Sequence, residues 1–265
     1  MLEKGKKMKE ALSQILKLLR LQSIAKKIRD PGTYAESADI TWKDQMMNFY
    51  SQFVKKGDLC FDVGANVGII TQIFLRLGAK VVCVEPEKNC LRQLHGRFDK
   101  NPDVKIVGKA LGEREGQGSL MICKEANTIN TMSKEWKEKG RFSEDHKWTR
   151  TQTVTVTTLD NLVKLYGLPK FCKIDVEGFE KSVLKGLTKP IPFLSFEFTK
   201  EFFSESKNIL DHLSSMGYKE FKSTYGDTNQ LLFGPQWLKP EELSRKIDAV
   251  DDKLLWGNIY AKIGP

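Results

Sequence analysis

Histidine is scarce in this 265-residue chain, which has three, and cysteine is hardly commoner, with five. No CxxC pair and no CxxxH spacing occurs, so nothing argues for a zinc-built domain. An odd number of irregularly spaced cysteines does not make a disulfide framework. Cys60, Cys83 and Cys172 fall inside apolar runs, where thiols serve as small hydrophobes. A reducing cytoplasm is the expected compartment. No apolar run approaches the ~20 residues that cross a bilayer. The N-terminus mixes Lys and Arg into its apolar positions without a small-residue cleavage site, so a secretory signal is not expected. Tracts of Ser, Gln or Pro are missing too. With 29% charged and 10% aromatic residues the chain is neither disordered nor fibrous.

What is present begins with a net charge of +9. Residues 1–30 hold nine basic residues against three acidic ones, a local +6 that leaves only +3 for the other 235. Basicity is therefore a property of one appendage and not a broad nucleic-acid footprint. No N-P-P-[YF] motif for exocyclic amines occurs, and a nucleic-acid partner is not expected. Met8, Leu12, Ile15, Leu16 and Leu19 recur at helical spacing among lysines, and Asp30-Pro31-Gly32 ends the pattern. Residues 6–29 read as a basic amphipathic helix within an extension spanning 1–38. Packing on its own domain is its first expected role, a peripheral membrane or homodimer contact the alternative.

Residues 39–265 read as one domain. A helix over 39–56 comes first, with Trp42, Met46, Phe49 and Phe53 on one side. Short apolar runs then alternate with helical periodicity: strands at 59–63, 80–84 and 104–107, helices at 69–77 and 88–98. That alternation predicts an α/β fold, a parallel sheet with helices on both faces. Further strands are expected at 119–123, 152–158, 171–176 and 193–198, a helix at 203–215, and an antiparallel pair at 218–224 and 254–262. The charged stretch 124–150 has no clean period, and is as readily a substrate lid as a surface excursion.

The sharpest feature is Asp62-Val63-Gly64-Ala65-Asn66-Val67-Gly68 at the end of the first strand. Glycine permits a tight turn and close approach of a ligand, and the next helix points free N–H groups into it. Seventeen residues past Gly68, Glu85 ends the second strand and Pro86 follows. A carboxylate there can accept hydrogen bonds from both hydroxyls of a ribose. A dinucleotide turn would read G-x-G-x-x-G. Here Asn66 replaces the middle glycine, and the acid Asp62 is poor company for a pyrophosphate. It suits the ammonium of a methionine moiety, which favours S-adenosylmethionine over a nicotinamide dinucleotide. An NAD(P)-dependent oxidoreductase and a nucleic-acid methyltransferase stay as alternatives.

The run Phe61 to Gly68, then Val84-Glu85-Pro86, Ala110-Leu111-Gly112, Thr158-Leu159-Asp160 and Lys173-Ile174-Asp175-Val176-Glu177-Gly178, resembles the FkbM-type S-adenosylmethionine-dependent methyltransferases. The resemblance covers about residues 57–200. It implies a Rossmann-like class I methyltransferase fold, a doubly wound, seven-stranded, mostly parallel sheet with a terminal antiparallel strand. It also implies O-methylation of a hydroxyl on a sugar, glycan, polyketide or similar metabolite, with Ala110 and Leu111 joining the cofactor site.

Three carboxylates are expected near the cofactor. Asp175 and Glu177 end one core strand and point the same way if that strand stays regular, and Glu197 ends the next. One of them could take a proton from an acceptor hydroxyl. Alternatively, two strand ends could hold Mg²⁺, the less favoured reading. A purely structural strand-to-helix turn, with Lys173 as an ion-pair partner, is the third. His146 in the 124–150 stretch is a further candidate base, whereas His95 and His212 are expected to do no chemistry.

Overall fold

The computed structural model describes residues 40–264. The amphipathic pattern at 6–29 lies outside the described residues. The chain runs through α1 (Ile40–Tyr50), β1 (Leu59–Val63), α2 (Ile69–Arg76), β2 (Lys80–Val84), α3 (Lys88–Phe98) and β3 (Val104–Val107). Next come β4 (Ala110–Leu111), β5 (Gly116–Cys123), a single 3₁₀ turn at Asn127–Ile129, α4 (Lys134–Lys139), β6 (Trp148–Thr157) and α5 (Leu159–Tyr166). The last part holds β7 (Phe171–Ile174), α6 (Glu180–Lys185), β8 (Phe193–Thr199), α7 (Phe203–Ser215), β9 (Tyr218–Ser223), α8 (Pro240–Asp248) and β10 (Trp256–Ile263).

Seven strands form one sheet in the order β3-β2-β1-β7-β8-β10-β9. The pairs β1–β2, β2–β3, β1–β7 and β7–β8 are parallel, and β10 runs antiparallel to both β8 and β9. Only β10 is inverted, inserted between β8 and β9. This is the class I methyltransferase arrangement. The strands are almost continuously apolar because helices cover both faces. Phe61, Val63, Cys172, Ile174, Leu194 and Phe196 face one layer, and Cys60, Val81, Cys83 and Phe171 face the other beneath α1 and α2. The order reverses between β1 and β7, and the carboxyl ends of strands part there into a crevice.

A second, three-stranded sheet, β4-β6-β5, stands beside the first. The strands expected at 119–123 and 152–158 belong to it and start earlier than their apolar cores. The added positions are mostly glycine or polar residues, Gly116 to Gly118 lying opposite Val156 to Val154, and Arg150 and Thr151 opposite Ile122 and Met121. The stretch 124–150 holds the 3₁₀ turn at Asn127–Ile129 and α4. Ala126, Ile129, Trp136, Phe142 and Trp148 form a small core of their own. Trp148 Nε1 donates to the carbonyl of Ile129 at 2.8 Å, and Arg141 grips Glu201 through Nε and Nη2 at 2.7 and 2.6 Å.

Candidate active site

The glycine turn is built by close approach of backbone to backbone. Gly64 has φ +78°, and a Cβ there would lie 1.8 Å from the carbonyl oxygen of Asp175. The residue is glycine because the end of β1 presses on the end of β7. Gly68, at φ +82°, would place a Cβ 2.5 Å from the Phe98 ring and 2.8 Å from Leu94. That space lets α2 rest on α3, and Gly68 is not among the residues lining the crevice beside the turn. Asn66 bends through φ +49°. Its amide donates to Glu85 Oε2 at 2.9 Å, and the Glu87 amide donates to Glu85 Oε1 at 2.8 Å. The Glu85 carboxylate is thus pinned at the lip of the turn. Burial pushes its pKa up to about 7 against the opposing pull of those two amides.

Asp62 is fully buried. Oδ2 accepts from Thr71 Oγ1 at 2.6 Å, while Oδ1 has no hydrogen-bond partner. Burial raises its pKa, and the Lys173 ammonium pulls the other way. The crevice beside it has an empty volume of about 1280 Å³, the solvent at its mouth included. Asp62, Gly64, Ala65, Asn66, Glu85, Pro86, Ala110 and Leu111 all line it. So do Asn127 and Asn130 from the 124–150 stretch and Asn258 from β10. Asn127 Oδ1, Asn130 Nδ2 and Asn258 Oδ1 are likewise buried without partners. A buried polar atom left unpaired costs about 1–3 kcal/mol. Four such atoms belong to residues that line this one crevice.

The strand carrying Asp175 does not stay regular. β7 stops at Ile174, and Glu177 turns through φ +54°. Simple alternation therefore does not align Asp175 with Glu177; the turn does. One carboxylate oxygen from each of Asp175, Glu177 and Glu197 lies within 4.8 Å of the others. Lys173 Nζ, itself buried, pairs with Asp175 Oδ2 at 2.8 Å. Burial alone would lower that ammonium's pKa, but Asp175 and then Asp62 outweigh it and hold it above the ordinary value. The turn is clamped from two sides. Glu180 Oε1 accepts from the amides of Val176 and Gly178 at 3.0 and 3.3 Å, and Thr131 Oγ1 donates to the Glu177 carbonyl at 2.6 Å. Trp136 packs on Gly178, where an added Cβ would meet its side chain at 3.0 Å. His146 is not brought to this group. It is half-buried and lies edge-on to Phe142 of the small core, ring centroids 5.9 Å apart.

The family model of the Methyltransferase FkbM domain matches residues 62–220, from the end of β1 into β9. The chain belongs to the FkbM methyltransferase family. A curated relative, the hexuronic acid methyltransferase AglP of Haloferax volcanii, is 24% identical over 162 residues. That match takes in 60% of this chain and 62% of the relative, so the chain spans under two thirds of that protein's length. Solved structures of similar outline include a precorrin-6Y C5,15-methyltransferase from Geobacter metallireducens (8% identity, 83% of this chain and 87% of that one, TM-score 0.43). Another is a methyltransferase-like protein of Streptococcus mutans in complex with S-adenosylhomocysteine (10% identity, 83% and 97%, TM-score 0.39). The sheet order, not these distant likenesses, carries the fold.

Sequence reasoning about this FkbM chain passed over Asn127, Asn130, Asn258 and Asp227 of the crevice, and Glu180 of the clamp. Asn258 left one trace, a polar residue within the apolar run of β10. The two asparagines of the 124–150 stretch left none, since asparagine in a charged segment is ordinary.

Proposed function

We propose that the chain is an S-adenosylmethionine-dependent O-methyltransferase acting on a hydroxyl of a sugar, glycan or polyketide-like metabolite. The observation that carries this reading is the orphaned Asp62 Oδ1 in the crevice whose opposite lip holds Glu85. Asp62 would receive the ammonium of the methionine part, and Glu85 the ribose hydroxyls. Ala110, Leu111 and Pro86 would enclose the base, with Asn127 and Asn130 offering it an acceptor and a donor. When bound, the cofactor supplies a methyl group on a sulfonium. The protein's main contribution is to hold the two reactants in line and to keep water out. FkbM membership and a sugar-acid methyltransferase as a relative support the acceptor class.

Proton removal is assigned to the carboxylates at the ends of β7 and β8. Asp175 sits in its ion pair with Lys173, which holds the carboxylate in place beside the turn. Asp175→Asn is expected to lower kcat by ~10²–10⁴-fold with little change in cofactor affinity, the usual worth of general-base assistance. Glu177→Gln and Glu197→Gln then separate two mechanisms. With a carboxylate base, EDTA has no effect and one substitution dominates. With Mg²⁺ held between the strand ends, EDTA inactivates, Mg²⁺ restores activity, and Asp175 and Glu197 matter about equally. Isothermal titration with S-adenosylhomocysteine and with NAD⁺ tests the cofactor directly, and binding of NAD⁺ alone would overturn the reading.

A further inference from the structure

A second cleft opens on the other side of the Glu177–Phe179 turn, and Phe179 lines both. Glu197 faces this second cleft, whereas Asp175 and Glu177 face the first. The carboxylate trio, within 4.8 Å of one another, therefore stands where the two cavities meet. Trp136 and Phe202 line the second cleft, their ring centroids 5.8 Å apart. Trp136 is buried to all but 3%, and its Nε1 has no hydrogen-bond partner. The cleft's two lysines are already engaged: Lys181 pairs with Glu205 at 2.7 Å and Lys185 with Glu113 at 3.5 Å. At the inner end Glu197 and Glu180 are both buried acids.

We infer that this second cleft is the acceptor subsite, and that it takes a neutral, polyhydroxylated ring such as an uncharged sugar, not a uronate. The half-buried Phe202 ring suits the C–H face of a sugar, and the carboxylates and hydroxyls around that ring suit the sugar's OH groups. The Trp136 N–H lacks an acceptor, which a ring or hydroxyl oxygen would provide. A carboxylate on the ligand would instead enter beside buried acids with no unengaged cation among the cleft's lysines, a like-charge contact that selects against it. The inference rests on the proposed methyl transfer and adds the acceptor's entrance and charge. With the ring seated here, a hydroxyl oxygen reaches the trio from one side and the cofactor from the other. Its lone pair forms the new C–O bond as the C–S bond breaks, the electron pair stays on sulfur, and the proton passes to a carboxylate of the trio.

The test uses the full chain, with and without saturating S-adenosylhomocysteine. Saturation-transfer NMR is read against methyl glucoside, methyl galactoside, methyl mannoside, glucuronate and galacturonate at pH 7.5. At least one neutral glycoside is expected to bind, and each uronate at least about tenfold more weakly than its neutral counterpart. Trp136→Phe keeps a ring but removes the donor, and should weaken glycoside binding by up to about tenfold, the worth of one neutral hydrogen bond. Phe202→Ala, at a half-buried position, should weaken it as well, with S-adenosylhomocysteine affinity unchanged in both variants. Equal or tighter uronate binding, no neutral binding, or indifference to both substitutions would overturn the inference. Failure to bind S-adenosylhomocysteine would instead overturn the cofactor assignment, and the sugar results would still stand on their own.

Discussion

Glu85 shows at the scale of one residue how a binding contact can become a pH-dependent one. Its carboxyl titrates near 7 because burial disfavours the charge, and ribose hydroxyls that donate to it favour the ionised form. Cofactor affinity should therefore rise with pH through 7, by at most about tenfold per unit for one proton. Titration calorimetry at pH 6, 7 and 8 checks this, and Glu85→Gln should flatten the profile and weaken binding by about 1.5–3 kcal/mol. The same burial acts on the ligand-free protein. Glu85 and Glu180 both bind their protons more tightly folded than unfolded. The stability they contribute is complete below the ordinary carboxylate range and lost as pH rises through about 7. Thermal melts of the free chain should accordingly weaken from pH 5.5 to 8 by more than those of a Glu85→Gln, Glu180→Gln variant. Gly64 carries the opposite lesson about legibility. The sequence points to it as a ligand-approach glycine, yet its nearest obstacle is the Asp175 carbonyl. Gly64→Ala should cost on the order of 3 kcal/mol of stability, combining backbone strain and overpacking. Denaturant unfolding would show it, so the variant is a poor probe of binding alone.

Among the elements, the strands and helices from β1 to β3 are legible because apolar periodicity and turn glycines agree there. The strands of the second sheet are legible only in their apolar parts, since pairing extends them through polar residues that no periodicity marks. The short helices α5, α6 and α8, like α4 in the 124–150 stretch, escape for a related reason. They are six to nine residues long, too short to show more than two turns of a pattern. No two-glycine turn precedes them such as the one that announces the equally short α2. The 124–150 stretch has no legible period because it folds around a handful of aromatics and hangs on side-chain ties. Its principal tie, Arg141 to Glu201, is 5% and 17% exposed at the side chains. Removing one partner of so buried a pair costs about 3–5 kcal/mol locally. Arg141→Met should raise amide hydrogen exchange across 126–147 and, through Thr131 and Trp136, loosen the Glu177 turn. Acceptor KM should suffer more than cofactor affinity, measured by steady-state kinetics beside calorimetry.

For the molecule as a whole, the doubly wound sheet could be read in advance because every parallel strand is short, apolar and followed by its crossover. The carboxylates of different strands could be expected together for the same reason, since adjacent strand ends open on one crevice. Two clefts instead of one could not, because their separation depends on a turn whose positive φ at Glu177 has no sequence signature. Every residue assigned to the cofactor lies beyond position 57. Deleting residues 1–29 should leave S-adenosylhomocysteine affinity within a few fold, and a folded truncate that cannot bind it would contradict the assignment.

The contact between Gly64 and Asp175 has a consequence in time. Asp62 lies in register with Lys173 across the β1–β7 seam, so the middle of the sheet joins segments more than a hundred residues apart. Closing such a loop loses entropy before any contact compensates for it, which slows folding. At roughly 5–20 residues per second, a ribosome needs on the order of 5–20 s to make the stretch between them. Through that interval β1 and β2 have each other but not their central neighbour, and the crevice has only one wall. The nascent chain carries an unpaired apolar strand edge for those seconds, the state in which a chaperone or an aggregate would meet it.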